Sequence, residues 1–379
     1  MKKKLKEICT FIGGGTPSKA KAEYWNGGIP WASVKDLQGY YITETIDNIS
    51  AAGLKNSSAN MCEKDDLILA TRIAPGRAAI AKIPVAINQD LKIVKSDMSN
   101  EWLKYFFKCK EFEILRNSGG TTVKGISLDF LGKVEVPIIS LDDQIKIAAE
   151  LDKIQSAIDN KKQQLALLDE AVKSKFVEMF GKNPVESGKW KVERLGNLCT
   201  ITSGGTPDRK NEEYWKNGTI PWIKTTELQN NELSIVEEYI TEKGLDESAA
   251  KIVPEETILL AMYGQGKTRG MTAFLKIQAS TNQACACILP TESKELSQRF
   301  IWYFLIMNYE NVRNLAVGCN QLNLNSSLVK NIEIPVPPLD LQNRFAAFVQ
   351  KVDKAKSIAK QQIADLQELL DSKMQEYFA

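Results

Sequence analysis

Gly14-Gly15-Thr16-Pro17, Glu23-Tyr24-Trp25 and Ile29-Pro30-Trp31 recur in the same order as Gly204-Gly205-Thr206-Pro207, Glu213-Tyr214-Trp215 and Ile220-Pro221-Trp222. The first two blocks return at a shift of 190 (204 − 14), and the third at 191 (220 − 29), after one inserted residue. Near the end of each half, Val134-Glu135-Val136-Pro137 matches Ile332-Glu333-Ile334-Pro335, now at a shift of 198 (332 − 134). A unit this long is no solenoid repeat of about 20–50 residues. It is a duplicated domain, and it implies a duplicated role in which both halves recognise something of the same kind.

The chain has 379 residues, enough for two cores. Its composition, 43% hydrophobic and 25% charged, is that of an ordinary globular protein. No apolar run reaches the ~18 residues of a membrane span. The basic start, Met1-Lys2-Lys3-Lys4, is followed by no apolar signal core. The seven cysteines form no Cys-x-x-Cys pair. Cys285-x-Cys287 fits one face of a strand, which points to buried free thiols in a reducing cytoplasm and to no zinc site. There is no histidine, which removes the Ser-His-Asp triad and His-ligated metals. The net charge of +2 is low for a chain that holds nucleic acid alone, but not for one subunit of a DNA-binding assembly.

Each half opens with a mixed domain. Leu67-Ile68-Leu69-Ala70 and its counterpart Ile258-Leu259-Leu260-Ala261 have the apolar character of strands. Glu101 to Phe107 and Gln298 to Phe304 are aromatic-rich helices. Then the period changes. From Leu141 to Phe180 there is no Gly or Pro, and the seam Leu151, Ile154, Ile158, Lys161, Leu165, Leu168, Val172, Lys175, Met179 alternates spacings of three and four. Its counterpart is Val349, Val352, Lys356, Ala359, Ile363, Leu366, Leu370, Lys373, Tyr377. Forty helical residues extend roughly 60 Å. A narrow apolar seam needs a partner, and the second copy supplies one if the helices pair antiparallel. The alternative is that each helix packs only on its own domain.

These motifs resemble those of the specificity subunit of type I restriction–modification systems. The resemblance spans essentially the whole chain. It rests on Gly-Gly-Thr-Pro with Glu-Tyr-Trp and Ile-Pro-Trp, on Asn88-Gln89 and Asn282-Gln283, and on the helix start Pro338-Leu339-Asp340-Leu341-Gln342. The first helix start, Ser140-Leu141-Asp142-Asp143-Gln144, has serine in place of proline. The resemblance implies an α+β protein with two pseudo-symmetric mixed α/β target-recognition domains, separated by two long helices that pair as an antiparallel coiled coil. The expected segments are residues 1–138, a central helix over 139–181, a second domain over 182–336 and a C-terminal helix over 337–379. It also implies a non-catalytic chain that reads a bipartite site on double-stranded DNA. Its partners would be two modification (adenine-N6 methyltransferase) subunits and, in the full complex, two restriction subunits. S-adenosylmethionine and ATP would bind those partners, leaving this chain without a cofactor.

Candidate DNA contacts sit where the repeats diverge. After the apolar strand, the first half has Thr71, Arg72 and Arg77, and the second has Tyr263, Gln265, Lys267 and Arg269. Arg and Lys pair with guanine edges, Gln with adenine, and all hold phosphate; the alternative is a solvated hairpin. A second pair of turns holds Thr121, Thr122 and Lys124 against Asn320 and Gln321, and a plain connection is the competing view. Lys19 and Arg209 follow the Gly-Gly-Thr-Pro turns, whose amides suit phosphate, although a purely structural turn explains them too. Lys35 and Lys224, past Trp31 and Trp222, are candidates for the phosphate backbone. The tryptophans themselves are expected in the core.

Ala261 to Thr268 imitates a phosphate-binding P-loop, but a P-loop opens a helix, and strand-like Thr272-Ala273-Phe274-Leu275 follows here. Asn183-Pro184-Val185 lacks the second proline and the aromatic residue of an adenine-methyltransferase loop, and no carboxylate cluster with lysine recurs in both halves. The rival from another class is a tandem scaffold that binds protein or glycan.

Overall fold

The computed structural model describes residues 1–120, 124–264, 266–317 and 322–378. The chain divides into two compact units, Met1–Gln163 with Ala359–Ala379, and Gln164–Ile358. Each long helix is thus shared between the two units.

In the first unit a five-stranded sheet runs in the order Cys9–Gly13, Leu91–Ser96, Leu67–Ala70, Ala78–Ala81, Tyr41–Ile42. Its central strand, Leu67–Ala70, is fully buried. Because side chains alternate across a strand, Leu67 and Leu69 enter one core with the aromatic helix, and Ile68 and Ala70 enter another with Ile42 and Ile87. A sheet covered on both faces explains an apolar run without alternation. The second unit repeats this with Ile201–Ser203, Cys285–Ile288, Ile258–Ala261, Thr272–Leu275, Asn231–Leu233. There Leu259 and Ala261 share a core with Cys285 and Cys287, while Ile258 and Leu260 face the aromatic helix. The second sheet carries Trp25–Ala32 in the first unit and Ile220–Ile223 in the second.

The aromatic helices are Asn100–Arg116 and Gln298–Met307, capped by Ser99 and Ser297. Leu141–Phe180 and Leu339–Phe378 are each one continuous helix. In the first unit Glu150 accepts a hydrogen bond from the Tyr377 hydroxyl (2.8 Å) and lies 3.5 Å from Lys373 Nζ. In the second unit Lys356 pairs with Asp169 at 2.5 Å, and Phe176 and Phe180 meet Phe345 at 5.5 and 5.4 Å between centroids. Partner numbers fall as residue numbers rise, so the helices run antiparallel.

The seam is wider than the heptad reading. Phe176, Phe180, Phe345, Met374 and Phe378 are buried outside it, and the helices pack on their domains as well as on each other. Phe378 lies 5.0 Å from Trp102, and Phe180 lies 4.9 Å from Phe300. The shift of 198 relates both pairs (378 − 180 and 300 − 102). The glutamines of the helix starts are buried for a stated reason. Gln144 Oε1 accepts from Ser99 N (2.8 Å) and Gln342 Oε1 from Ser297 N (2.8 Å). Gln342 Nε2 also donates to the carbonyls of Glu295 and Pro337, both at 2.7 Å.

Gln342→Ala removes the partner of the buried Pro337 carbonyl, of the half-buried Ser297 N–H and of the more exposed Glu295 carbonyl. Chemical denaturation is expected to show a loss of about 2–4 kcal/mol, since each unpaired buried group costs about 1–3 kcal/mol. A change within about 0.5 kcal/mol, typical of surface substitutions, would contradict this account of the helix start.

Candidate nucleic-acid interface

The motifs shared by the halves build a frame. Gly15 donates its N–H to Ile87 O (2.9 Å) and Gly205 to Thr281 O (2.8 Å). A Cβ on Gly14 would come within 2.2 Å of Ile87 O, and one on Gly204 within 2.1 Å of Thr281 O, so only glycine fits. Thr16 donates to Gln89 Oε1, and Thr206 to Gln283 Oε1. The indoles complete the frame: Trp31 donates to Gly15 O and Trp222 to Gly205 O, both at 3.0 Å. Trp25 and Trp215 pack edge-on against them at 5.2 and 5.0 Å. The Gly15 and Gly205 amides are therefore engaged within the fold and not held out for phosphate.

On this frame the two divergent turns of the first half are joined. Arg72 and Gly125 form an antiparallel bridge, Ile73 N donates to Lys124 O (2.8 Å), and Ile126 N to Thr71 O (2.9 Å). Arg72 is half exposed, with Nη1 3.2 Å from the buried Asp90 carboxylate. Asn88 Nδ2 donates to the other Asp90 oxygen at 3.2 Å. The guanidinium is thereby held from behind while facing solvent. Lys124 is exposed beside it. Thr71 and Arg77 depart from the expectation of a shared contact surface. Thr71 is buried, and its hydroxyl donates to Asp90 O at 3.2 Å, so it holds the loop. Arg77 turns to Glu111 (3.9 Å) and Leu37 O (3.4 Å), in a cleft lined also by Asp159 and Lys162.

The second half repeats the junction with other side chains. Leu324 N donates to Met262 O (2.9 Å), and Arg269 donates to Leu322 O. Tyr309 and Arg313, from the short helix Tyr309–Asn314, clamp the loop from below. The Tyr309 hydroxyl donates to Lys267 O (2.6 Å), and Arg313 donates to Gly266 O (2.5 Å) and Arg269 O (2.9 Å). This leaves Tyr263 and Lys267 exposed at the tip, while Arg269 serves the junction. The segment runs on into strand Thr272–Leu275 and opens no helix, so it is not a P-loop. Thr121, Thr122, Gln265, Asn320 and Gln321 lie outside the described residues.

Arg209 and Lys224 are already paired. Arg209 stacks over Trp215 at 3.8 Å and pairs with Glu238, which also meets Lys224 Nζ at 2.8 Å. Lys224 further reaches Glu237 at 2.9 Å. Lys35 is not its equivalent: Lys224 stands at the position of Ser33, whose hydroxyl caps the first turn, while Lys224 makes no side-chain cap. Lys19 and Lys35 are exposed. The sequence pattern did not single out Asp90, Arg313 or the fully buried Lys104. Lys104 binds Glu101 (2.6 Å), Asp152 (2.7 Å) and the Tyr41 hydroxyl (2.7 Å), and so ties the aromatic helix to the central helix.

Partial burial opposes ionisation of Glu238, but hydrogen bonds from Lys224 and Arg209 outweigh it and hold the carboxyl below its usual 4.5. A depressed folded value means that its contribution is present above pH 4.5 and is lost as the pH falls through the folded value. Glu238→Gln is therefore expected to lower Tm near neutral pH, with the gap to the parent closing below pH 4.5. Equal Tm values across the whole range would show that this cluster does not stabilise the second unit.

Residues 1–170 and 187–368 both match the type I restriction modification DNA specificity domain. The chain is 28% identical to the MjaIX type I restriction enzyme specificity subunit of Methanocaldococcus jannaschii, over 98% of this chain and 90% of that one. It is 23% identical to the MjaVIII specificity subunit of the same organism, over 87% and 84%. The fold is similar to that of a type I restriction–modification S subunit from M. genitalium, with a TM-score of 0.63 and 14% identity over 100% of this chain and 96% of that one. A structure concerned with assembly and conformational transition of the type I system gives a TM-score of 0.59 at 16% identity, covering 100% and 97%. No helix among the described residues is long and apolar enough to cross a membrane. With the domain present in two copies that together cover most of its length, the chain belongs to the type I restriction modification DNA specificity family.

Proposed function

We propose that each unit of this chain reads one half of a bipartite site on double-stranded DNA through its joined pair of divergent loops. The observation that carries this reading is the contrast between frame and tip. The frame residues recur in both halves and satisfy one another, whereas the exposed tips carry Arg72 and Lys124 in one unit and Tyr263 and Lys267 in the other. A tip of this kind, held by partners such as the buried Asp90 and the half-buried Arg313, presents cationic and aromatic groups in a fixed geometry. Preorganised donors of this sort read base edges or hold phosphate.

The chain itself performs no chemistry in this account. Its partners are two adenine-N6 methyltransferase subunits, joined in the full complex by two restriction subunits, and S-adenosylmethionine and ATP are bound by those partners. The long helices set the length of the unread spacer, because half-site spacing follows the geometry of the protein. The tandem protein- or glycan-binding scaffold finds no support in the family match.

Exchanging the segment from about Leu5 to Pro137 for that of another family member is expected to change one half of the methylated motif and leave the other intact. A simultaneous change in both halves would refute the modular reading. Within one site, Arg72→Ala or Lys267→Ala is expected to cost about 1–3 kcal/mol of discrimination at one position if the side chain reads a base. Uniform weakening on every duplex, with a shallower dependence on salt, would instead assign that residue to phosphate.

A further inference from the structure

Ile73 stands at the tip of the first unit in a conformation that its own chemistry disfavours. Its φ is +68°, in the left-handed region, where a β-branched side chain crowds the backbone. Ala74 N donates to Arg72 O at 2.8 Å across it, closing a three-residue turn of the strained hand. Three residues past Ala261, where Ile73 stands three past Ala70, the second unit has Gly264, whose φ of +140° is also positive and costs glycine little. The residues correspond when counted from the shared Ala70 and Ala261, and the second loop is three residues longer (270 − 261 against 76 − 70). Ala70 and Ala261 precede the loops, and Gly76 and Gly270 donate back to their carbonyls at 3.0 and 2.9 Å.

Among the described residues, no core packing of the Ile73 side chain offsets this strain. The Ile73 side chain is 58% exposed and belongs to no core cluster. Its backbone is pinned by the bond to Lys124 O, and its neighbours are the anchored Arg72 and the exposed Lys124. An exposed aliphatic group thus stands on a backbone that is hydrogen-bonded to Lys124 and adjacent to Arg72. Strained residues that the surroundings hold in place concentrate at binding sites. On a duplex surface the one aliphatic feature offered among base edges is the thymine 5-methyl group in the major groove.

We propose that Ile73 is a specificity-determining residue that contacts the 5-methyl group of a thymine in the half-site read by the first unit. This rests on the reading of the two units as DNA-recognition modules.

The test uses the complex of this chain with its methyltransferase subunits, and duplexes in which each thymine of the first half-site is replaced in turn by deoxyuridine. Loss of one buried methyl contact is expected to weaken parent binding about threefold to tenfold at a single position. Ile73→Gly is expected to bind the thymine and deoxyuridine duplexes equally, while leaving the second half-site unchanged. Because glycine relieves the strained turn, Tm of the variant is expected not to fall, which separates a reading role from a structural one. If no thymine is sensitive, or if Ile73→Gly keeps the full deoxyuridine penalty, the proposal is wrong. A variant that instead loses DNA bending, with no effect of deoxyuridine on the parent, would make Ile73 a wedge between bases and would also overturn it. A parent complex without any sequence preference would refute the underlying reading itself.

Discussion

The rest of the structure depends on how each aromatic helix is gripped. Ser99 and Ser297 give their backbone N–H groups to the buried Gln144 and Gln342, which begin the two long helices. The first turn of each aromatic helix also meets the last phenylalanine of the other long helix, Phe378 on Trp102 and Phe180 on Phe300. A helix this apolar has to be covered on several sides, and a buried amide has to be satisfied. Together these requirements commit both long helices to both units. Lys104 adds a further tie to the central helix in the first unit only, and Trp302, at the corresponding position, instead donates to Thr272 Oγ1 at 3.0 Å. The grip is the same in both units, but the chemistry that lines it is not.

The same division runs through the recognition end. Gly-Gly-Thr-Pro, the tryptophan pair and Asn-Gln are shared because they hold one another: glycine for close approach, indole N–H for the glycine carbonyl, glutamine for the threonine hydroxyl. What they support is free to differ. Arg72 leans on a buried aspartate, whereas the loop carrying Lys267 is held by an arginine and a tyrosine from a neighbouring helix. One scaffold thus carries two unlike tips, as reading two unlike half-sites requires.

Elements with a strong period were legible in the sequence. Both forty-residue helices begin at the Leu of their motif and end one residue past the last seam position, because no Gly or Pro interrupts them. The central strands were legible from apolar runs, and the frame from its recurrence. The joining of the loops was not, since Ile73 meets Lys124 and Arg269 meets Leu322 across some fifty residues of chain that no local pattern connects. Nor was the pairing of Arg209 and Lys224 with Glu238, which depends on the cross-strand register Trp222–Glu238. Thr71 looked like a loop residue, but it lies inside because its hydroxyl is needed by Asp90 O. The strain at Ile73 has no sequence signature at all, because isoleucine is the last residue one would place at positive φ.

The central claim is that two copies of one frame read two half-sites. It is tested most directly by producing this chain with its methyltransferase subunits in a host lacking the system and mapping N6-methyladenine across the genome. Two short defined sequences around a gap of fixed length are predicted. New methylation at a single uninterrupted motif, or none from a verified stable complex, would contradict the account.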